Sequence, residues 1–314
     1  MKPLRFLTTV AIAGALVAGA TAAERPSALT GEIAYLGNGK VYLVNADGTG
    51  RQPLISGHGA FRVDNWGELS WSPDAKEIAF TVGDHNEGNE YGDTLQIYVA
   101  ATDGTEARAL TGKAYGAFDP TWSPDGTRIA FAKREAGVSS IAVIGADGKG
   151  LRVLARSTAS GPDYWSPDWS PDGAWILFDS WKGYGEAGRT TLIAIHPDGT
   201  GRRQIGVFNT GLHCACADWS PDGKRIAYEA TTTPRGEYPE LYVMNSDGSG
   251  RVRLTQNRAR DENPDWSPDG TRIAFYSERR GNAEIYVIGA DGGQAKRVTR
   301  DPWYSDGPAW RPVG

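Results

Sequence analysis

Trp266-Ser267-Pro268-Asp269-Gly270, followed directly by the strand-like Ile273-Ala274-Phe275, decides the fold of this 314-residue chain, because it is one of five near-copies. The others begin at Trp71, Trp122, Trp169 and Trp219, and the first carries Ala75 where the rest carry Gly. A degenerate sixth, Trp310-Arg311-Pro312, stands near the C-terminus. Self-similarity at a period of roughly 50 residues is the signature of a repeat architecture.

Within the unit around Trp266, Asn263-Pro264-Asp265-Trp266-Ser267 reads as a short strand. Pro268-Asp269-Gly270 is a tight turn, with Pro fixing φ at its entry and Gly taking the positive φ. Arg272 to Tyr276 and Glu284 to Ile288 read as the second and third strands, rich in β-branched and aromatic residues. Asp291-Gly292 is a second turn, and Lys296 to Thr299 a polar fourth strand. Four antiparallel strands per unit make one propeller blade.

Second-strand triplets at Ile33, Ile78, Ile129, Ile176, Ile226 and Ile273, and Asp-Gly turns at Asp47, Asp103, Asp147, Asp198, Asp247 and Asp291, imply six blades. The first unit lacks a Trp strand and the last Trp strand lacks a unit. The strand at Trp310 is therefore expected as the innermost strand of the first blade, closing the ring and removing exposed sheet edges.

These residues resemble the TolB-type propeller repeat, whose hallmark is Trp-Ser-Pro-Asp-Gly followed by Ile-Ala-Phe. The resemblance covers residues 31–312 and implies an all-β six-bladed propeller. TolB proteins also carry an N-terminal α/β domain that contacts the inner-membrane Tol proteins, while their propeller docks the peptidoglycan-associated lipoprotein. Too few residues precede the first strand here to form that domain, so the resemblance implies the second role alone.

Residues 1–23 read as a secretory signal: Lys2 and Arg5, an apolar run from Phe6 to Ala18, then small residues around Ala20-Thr21-Ala22. The run is too short to span a bilayer, and no lipobox Cys follows it. Residues 24–314 are then the propeller, with no membrane span left after cleavage. Removing Lys2 and Arg5 takes the formal charge from −5 to −7. That balance argues against a nucleic-acid partner. With 39% hydrophobic residues and only two cysteines, stability must come from packing.

In a propeller, the turns joining strands one to two and three to four share one face and are short here. The remaining loops vary, and variable loops on a rigid scaffold usually carry binding. Trp66, Tyr115, Phe118, Tyr164, Trp165, Trp303 and Tyr304 fall between blades, and Trp181 between second and third strands. Of the Trp residues outside the repeat, only Trp175 is expected within a strand. Asp119, Asp261, Glu262 and Asp306 belong to the same variable face, whereas arginines gather beside the short turns. An acidic, aromatic mouth favours cationic peptide or protein segments. The bland alternative is that the rings plug blade tops and the acids are solvated loop, Asp261 and Glu262 included.

No Gly-x-Ser-x-Gly elbow and no phosphate-cradling loop occur. His58, His85 and His213 lie in variable loops of different blades, a poor basis for the metal cluster of an oligogalacturonate-type lyase. In His213-Cys214-Ala215-Cys216, a strained local disulfide between Cys214 and Cys216 is the first reading and a soft-metal site the second. The sequence thus points to an exported or periplasmic monomer that binds a protein or peptide of the cell envelope, without cofactor, metal or catalytic residues. His213 is counted among the binding candidates. The rival is a metal-assisted, carbohydrate-active enzyme working at the same mouth.

Overall fold

A computed structural model describes residues 30–56, 67–83, 95–103, 106–112, 116–182, 189–209, 215–231 and 238–313. The described residues form six four-stranded antiparallel sheets and no helix. Blade 1 comprises β1 (Glu32–Gly37), β2 (Lys40–Asn45) and β3 (Gln52–Ile55), completed by β24 (Ser305–Trp310). Blade 2 holds β4 (Ser70–Trp71), β5 (Glu77–Val82), β6 (Gln96–Ala101) and β7 (Arg108–Ala109). Blade 3 holds β8 (Ala117–Trp122), β9 (Arg128–Glu135), β10 (Val138–Gly145) and β11 (Arg152–Arg156). Blade 4 holds β12 (Asp163–Trp169), β13 (Ile176–Lys182), β14 (Arg189–Ile195) and β15 (Arg203–Asn209). Blade 5 holds β16 (Asp218–Trp219), β17 (Arg225–Ala230), β18 (Glu240–Asn245) and β19 (Val252–Arg253). Blade 6 holds β20 (Asp261–Trp266), β21 (Arg272–Ser277), β22 (Glu284–Gly289) and β23 (Gly292–Arg297). The ring closes as the repeat count requires: β24 pairs β1 with Ile33 opposite Trp310 and Ala34 opposite Ala309.

Side-chain hydrogen bonds explain the turn signature. In Ser267-Pro268-Asp269-Gly270 the Ser267 hydroxyl donates to Asp269 Oδ1 at 2.6 Å and accepts the Arg272 N–H at 3.0 Å. Asp269 also accepts the Thr271 N–H, and Gly270 takes φ 67°. Ala75 holds the same position at φ 56°, in the left-handed region that costs an L residue energy.

The core consists of six clusters, each lying between consecutive blades. Period-two alternation sends Ile78 and Phe80 back towards blade 1, and Ala79 forward into the cluster that holds Trp122 of blade 3. The same rule places Ala34 with Trp71, Ala130 with Trp169, Ala227 with Trp266 and Ala274 with Trp310. The middle residue of the triplet is small because the next blade's Trp fills that space. Blade 4 alone has Leu there, Leu177 beside Trp219.

Candidate functional site

The innermost strands surround a central channel, and all six blades contribute to its lining. The residue preceding the repeat Trp lines it in five blades, as Ser70, Thr121, Asp168, Asp218 and Asp265, whereas Ala309 of blade 1 packs in the cluster between blades 1 and 2. These side chains stitch blades head to tail. Ser70 Oγ accepts the Trp122 N–H at 3.0 Å, Asp168 Oδ2 that of Trp219 at 2.9 Å and Asp218 Oδ2 that of Trp266 at 2.7 Å. Asp265 Oδ2 accepts the Trp310 N–H at 2.6 Å, so one such bond spans the closure. Ala309 has no acceptor to offer; its carbonyl takes the Trp71 indole N–H instead, at 3.1 Å.

Three positions before each Trp stand Glu68, Asp119, Ser166, Cys216, Asn263 and Gly307. Five of them have left-handed φ: 51° at Asp119, 45° at Ser166, 40° at Cys216, 53° at Asn263 and 51° at Gly307. In blades 3, 4 and 6 the ladder register shifts across this point. A bulge re-aims side chains, and the following Pro120, Pro167, Pro264 or Pro308 has no N–H to leave unpaired there. Second-strand acids hold the displaced backbone. Asp179 Oδ2 accepts the N–H groups of Ala215 and Cys216 at 2.7 and 2.9 Å, and Glu229 Oε2 that of Asn263 at 2.9 Å. Asn263 Nδ2 donates to Asp306 Oδ1 at 2.8 Å.

Burial pushes these acids up. Asp168 rises to about 6, Asp179 and Asp306 to about 7 and Asp265 to about 8. Glu68, Asp218 and Glu229 are also driven well above the carboxylate range, by burial first and neighbouring carboxyls second. The cavity between them measures about 80 Å³. That is room for a few waters or an ion, whereas organic ligands occupy pockets of about 300–1,000 Å³.

Several expected site residues sit elsewhere than in loops. Phe118 and Asp119 belong to β8, Tyr164 and Trp165 to β12, Trp181 to β13, Asp261 and Glu262 to β20 and Asp306 to β24. The inner strands begin earlier than the turn chemistry suggests, because backbone pairing with the second strand continues past the bulge. All of these but Trp165 are buried. The half-buried Trp165 packs on Phe118, with ring centroids 5.0 Å apart. Trp175 precedes β13 instead of lying in a strand; it stacks on His196 and lies beneath Arg203.

Asp261 and Glu262 are not solvated loop. Arg279 Nη2 donates to both oxygens of Asp261 at 2.9 Å, and Ser277 Oγ adds a third bond. Glu262 bonds Arg260 and the Tyr276 hydroxyl. Trp303 and Tyr304 lie just ahead of β24. The Arg51 guanidinium sits over Trp303 at 4.8 Å and Tyr42 at 4.7 Å while its Nε bridges Asp301 at 2.9 Å. Tyr304 packs on Tyr276. Trp66, Tyr115, His213 and Cys214 lie outside the described residues; Cys216 is buried and its sulfur accepts the Ser166 hydroxyl at 3.7 Å. Arginines beside the short turns cover the next blade's Trp: Arg128 over Trp169 at 4.8 Å and Arg225 over Trp266 at 4.7 Å. Among the described residues no three His, Cys, Asp or Glu side chains are grouped to hold a metal.

Sequence reading missed the two inward rings. The signal existed, since the residue before Trp is Ser, Thr or Asp in five of six strands.

Comparison with known proteins agrees with this architecture. Over 177 residues the chain is 35% identical to the Tol-Pal system protein TolB of Anaeromyxobacter dehalogenans (strain 2CP-C), covering 55% of this chain and 38% of that protein. It is 33% identical over 143 residues to the uncharacterized peptidase YuxL of Bacillus subtilis (strain 168), covering 35% of this chain and 21% of that one. The chain thus spans well under half the length of either relative. The crystal structure of TolB from Acinetobacter baumannii superposes with TM-score 0.72 at 19% identity, covering 92% of this chain and 68% of that one. The model of the TolB beta propeller domain matches residues 25–213 and 166–314, and with the geometry above it establishes that the chain belongs to the TolB β-propeller domain family.

Proposed function

We propose that residues 1–23 direct export and that the propeller acts in the periplasm or cell envelope as a non-catalytic module binding a protein or peptide partner. The observation that carries this reading is the state of the channel. Ser70, Asp168, Asp218 and Asp265 are committed to Trp N–H groups of neighbouring blades, and the cavity of about 80 Å³ is smaller than the pockets that hold organic ligands. Recognition then falls to the variable face. The TolB relative of the Tol-Pal system supplies the envelope context. The peptidoglycan-associated lipoprotein, which TolB propellers dock, is the first partner to test.

Calorimetric titration of the purified protein with that lipoprotein tests the reading, using Trp165→Ala at the half-buried ring of β12. Binding by the wild type, weakened about tenfold or more in the variant, is expected for an interface aromatic. Metal-dependent cleavage of a polysaccharide by the purified protein would replace the binding module with the enzyme reading.

A further inference from the structure

Asp168 and Asp218 stand at equivalent positions of adjacent blades, line the same enclosed cavity and act on each other there. Two carboxylates have no hydrogen to share, so a hydrogen bond between the pair needs a proton on one of them. Their other bonds are fixed: the N–H groups of Trp219 and Trp266, and the Thr121 hydroxyl, donate to them. Asp265 in blade 6 adds a third carboxyl that acts on both. Glu68 from blade 2 lines the same cavity, and Asp119, then Asp168 and Asp179, act on it. Arg260 is the cation in this region, but it bonds Glu262 and acts on Glu229 and Asp306. The cavity lining contains no Lys, Arg or His among the described residues.

We infer that the channel is a proton-operated lock: protons held among Asp168, Asp218 and Asp265 keep blades 4, 5, 6 and 1 joined, and their release loosens the joints at Trp219, Trp266 and Trp310. With ionised carboxyls and no cation among the described lining residues, like charges would face each other in a confined, poorly solvated space. The direction of the effect follows from burial. These acids are raised in the folded state, so the stability they contribute is complete below the ordinary carboxylate range near pH 4. It is lost as pH rises through about 6 for Asp168 and about 8 for Asp265.

Thermal melts of the full chain at constant ionic strength, from pH 5 to pH 9, test the lock. The wild type should lose about 5–10 °C across that range. Asp218→Asn should lose much less, because an amide at 218 still accepts the Trp266 N–H and can donate to ionised Asp168. Carbon-13 NMR titration of the aspartate carboxyls in the wild type decides the matter independently, should the variant fail to fold. Expected are carboxyls still titrating above pH 6. Carboxyls that all titrate near pH 4, or a wild-type melt that rises with pH, overturn the inference. So does full recovery of the pH 9 melt on adding calcium chloride to the wild type but not to Asp218→Asn, since a cation would then be the lock.

Discussion

Trp310 lies four residues from the C-terminus, where substitutions in most proteins are nearly silent. Here we expect Trp310→Ala to rank with loss of a core Trp. The side chain is 5% exposed and packs in the cluster that joins blades 6 and 1, with Ile33, Tyr35 and Ala274. Truncating a buried Trp to Ala costs about 3–5 kcal/mol through lost transfer energy and the remaining cavity. For a domain of this size that is a fall of about 6–20 °C in Tm. The contact can be isolated further through Gly31. Its φ is 101°, and a Cβ there would stand 2.8 Å from Trp310 Cζ3. Gly31→Ala therefore carries both backbone strain and a clash with the indole. In the double variant the clash disappears and the strain stays, so the two costs should fall short of additivity by about 1 kcal/mol or more. Urea unfolding of the four proteins, with Trp266→Ala as reference, measures every term. If Trp310→Ala lies within about 1 kcal/mol of wild type while Trp266→Ala costs about 3 kcal/mol or more, β24 does not close the ring as described. Strict additivity with Gly31→Ala would equally refute the packing argument.

Ala79→Leu should destabilise by about 1–3 kcal/mol in denaturant melts, because the added methyl groups meet the Trp122 region. Trp303→Ala should lower Tm as well as any binding, since the ring stacks on Tyr42 and lies under Arg51; unchanged Tm would restore it as a pure contact residue. Cys214 and Cys216 should be unreactive to thiol labelling in exported protein until reductant is added. A bridge closing so small a loop should change stability little on reduction.

The blade count, the turn chemistry and the closing strand were legible because each repeats locally: Ser267, Asp269 and Gly270 carry their turn within four residues. The Ile-Ala-Phe triplet was legible as a strand but not as a socket, since Trp122 meets Ala79 only across a blade junction. The site was harder. Asp168, Asp218 and Asp265 are roughly one repeat apart in sequence, and their burial exists only once six strands converge. A carboxylate beside Trp reads as surface in one dimension. Tyr164 was assigned to a loop between blades and Trp181 to one between second and third strands, because neither lies in the repeated motif. In fact the bulge at Ser166 lets pairing continue back to Asp163. Glu262 was read as solvated for lack of any sequence sign that Arg260 and Tyr276 would enclose it.

The pairing of β24 with β1 also sets an order of events. Arg311 reaches Glu32, 279 positions earlier in the chain, at 2.7 Å. During synthesis, the first three strands emerge first and wait for their fourth until residues 305–310 arrive. For that whole interval blade 1 presents an unpaired inner edge, while blades 2 to 6 can each complete themselves from contiguous sequence. A message broken or a chain clipped before Trp310 thus yields a molecule with five finished units and one open edge. Such a product is recognisable to proteases and prone to pair with its own kind. The strand Ser305–Trp310 therefore reports whether the ring is complete.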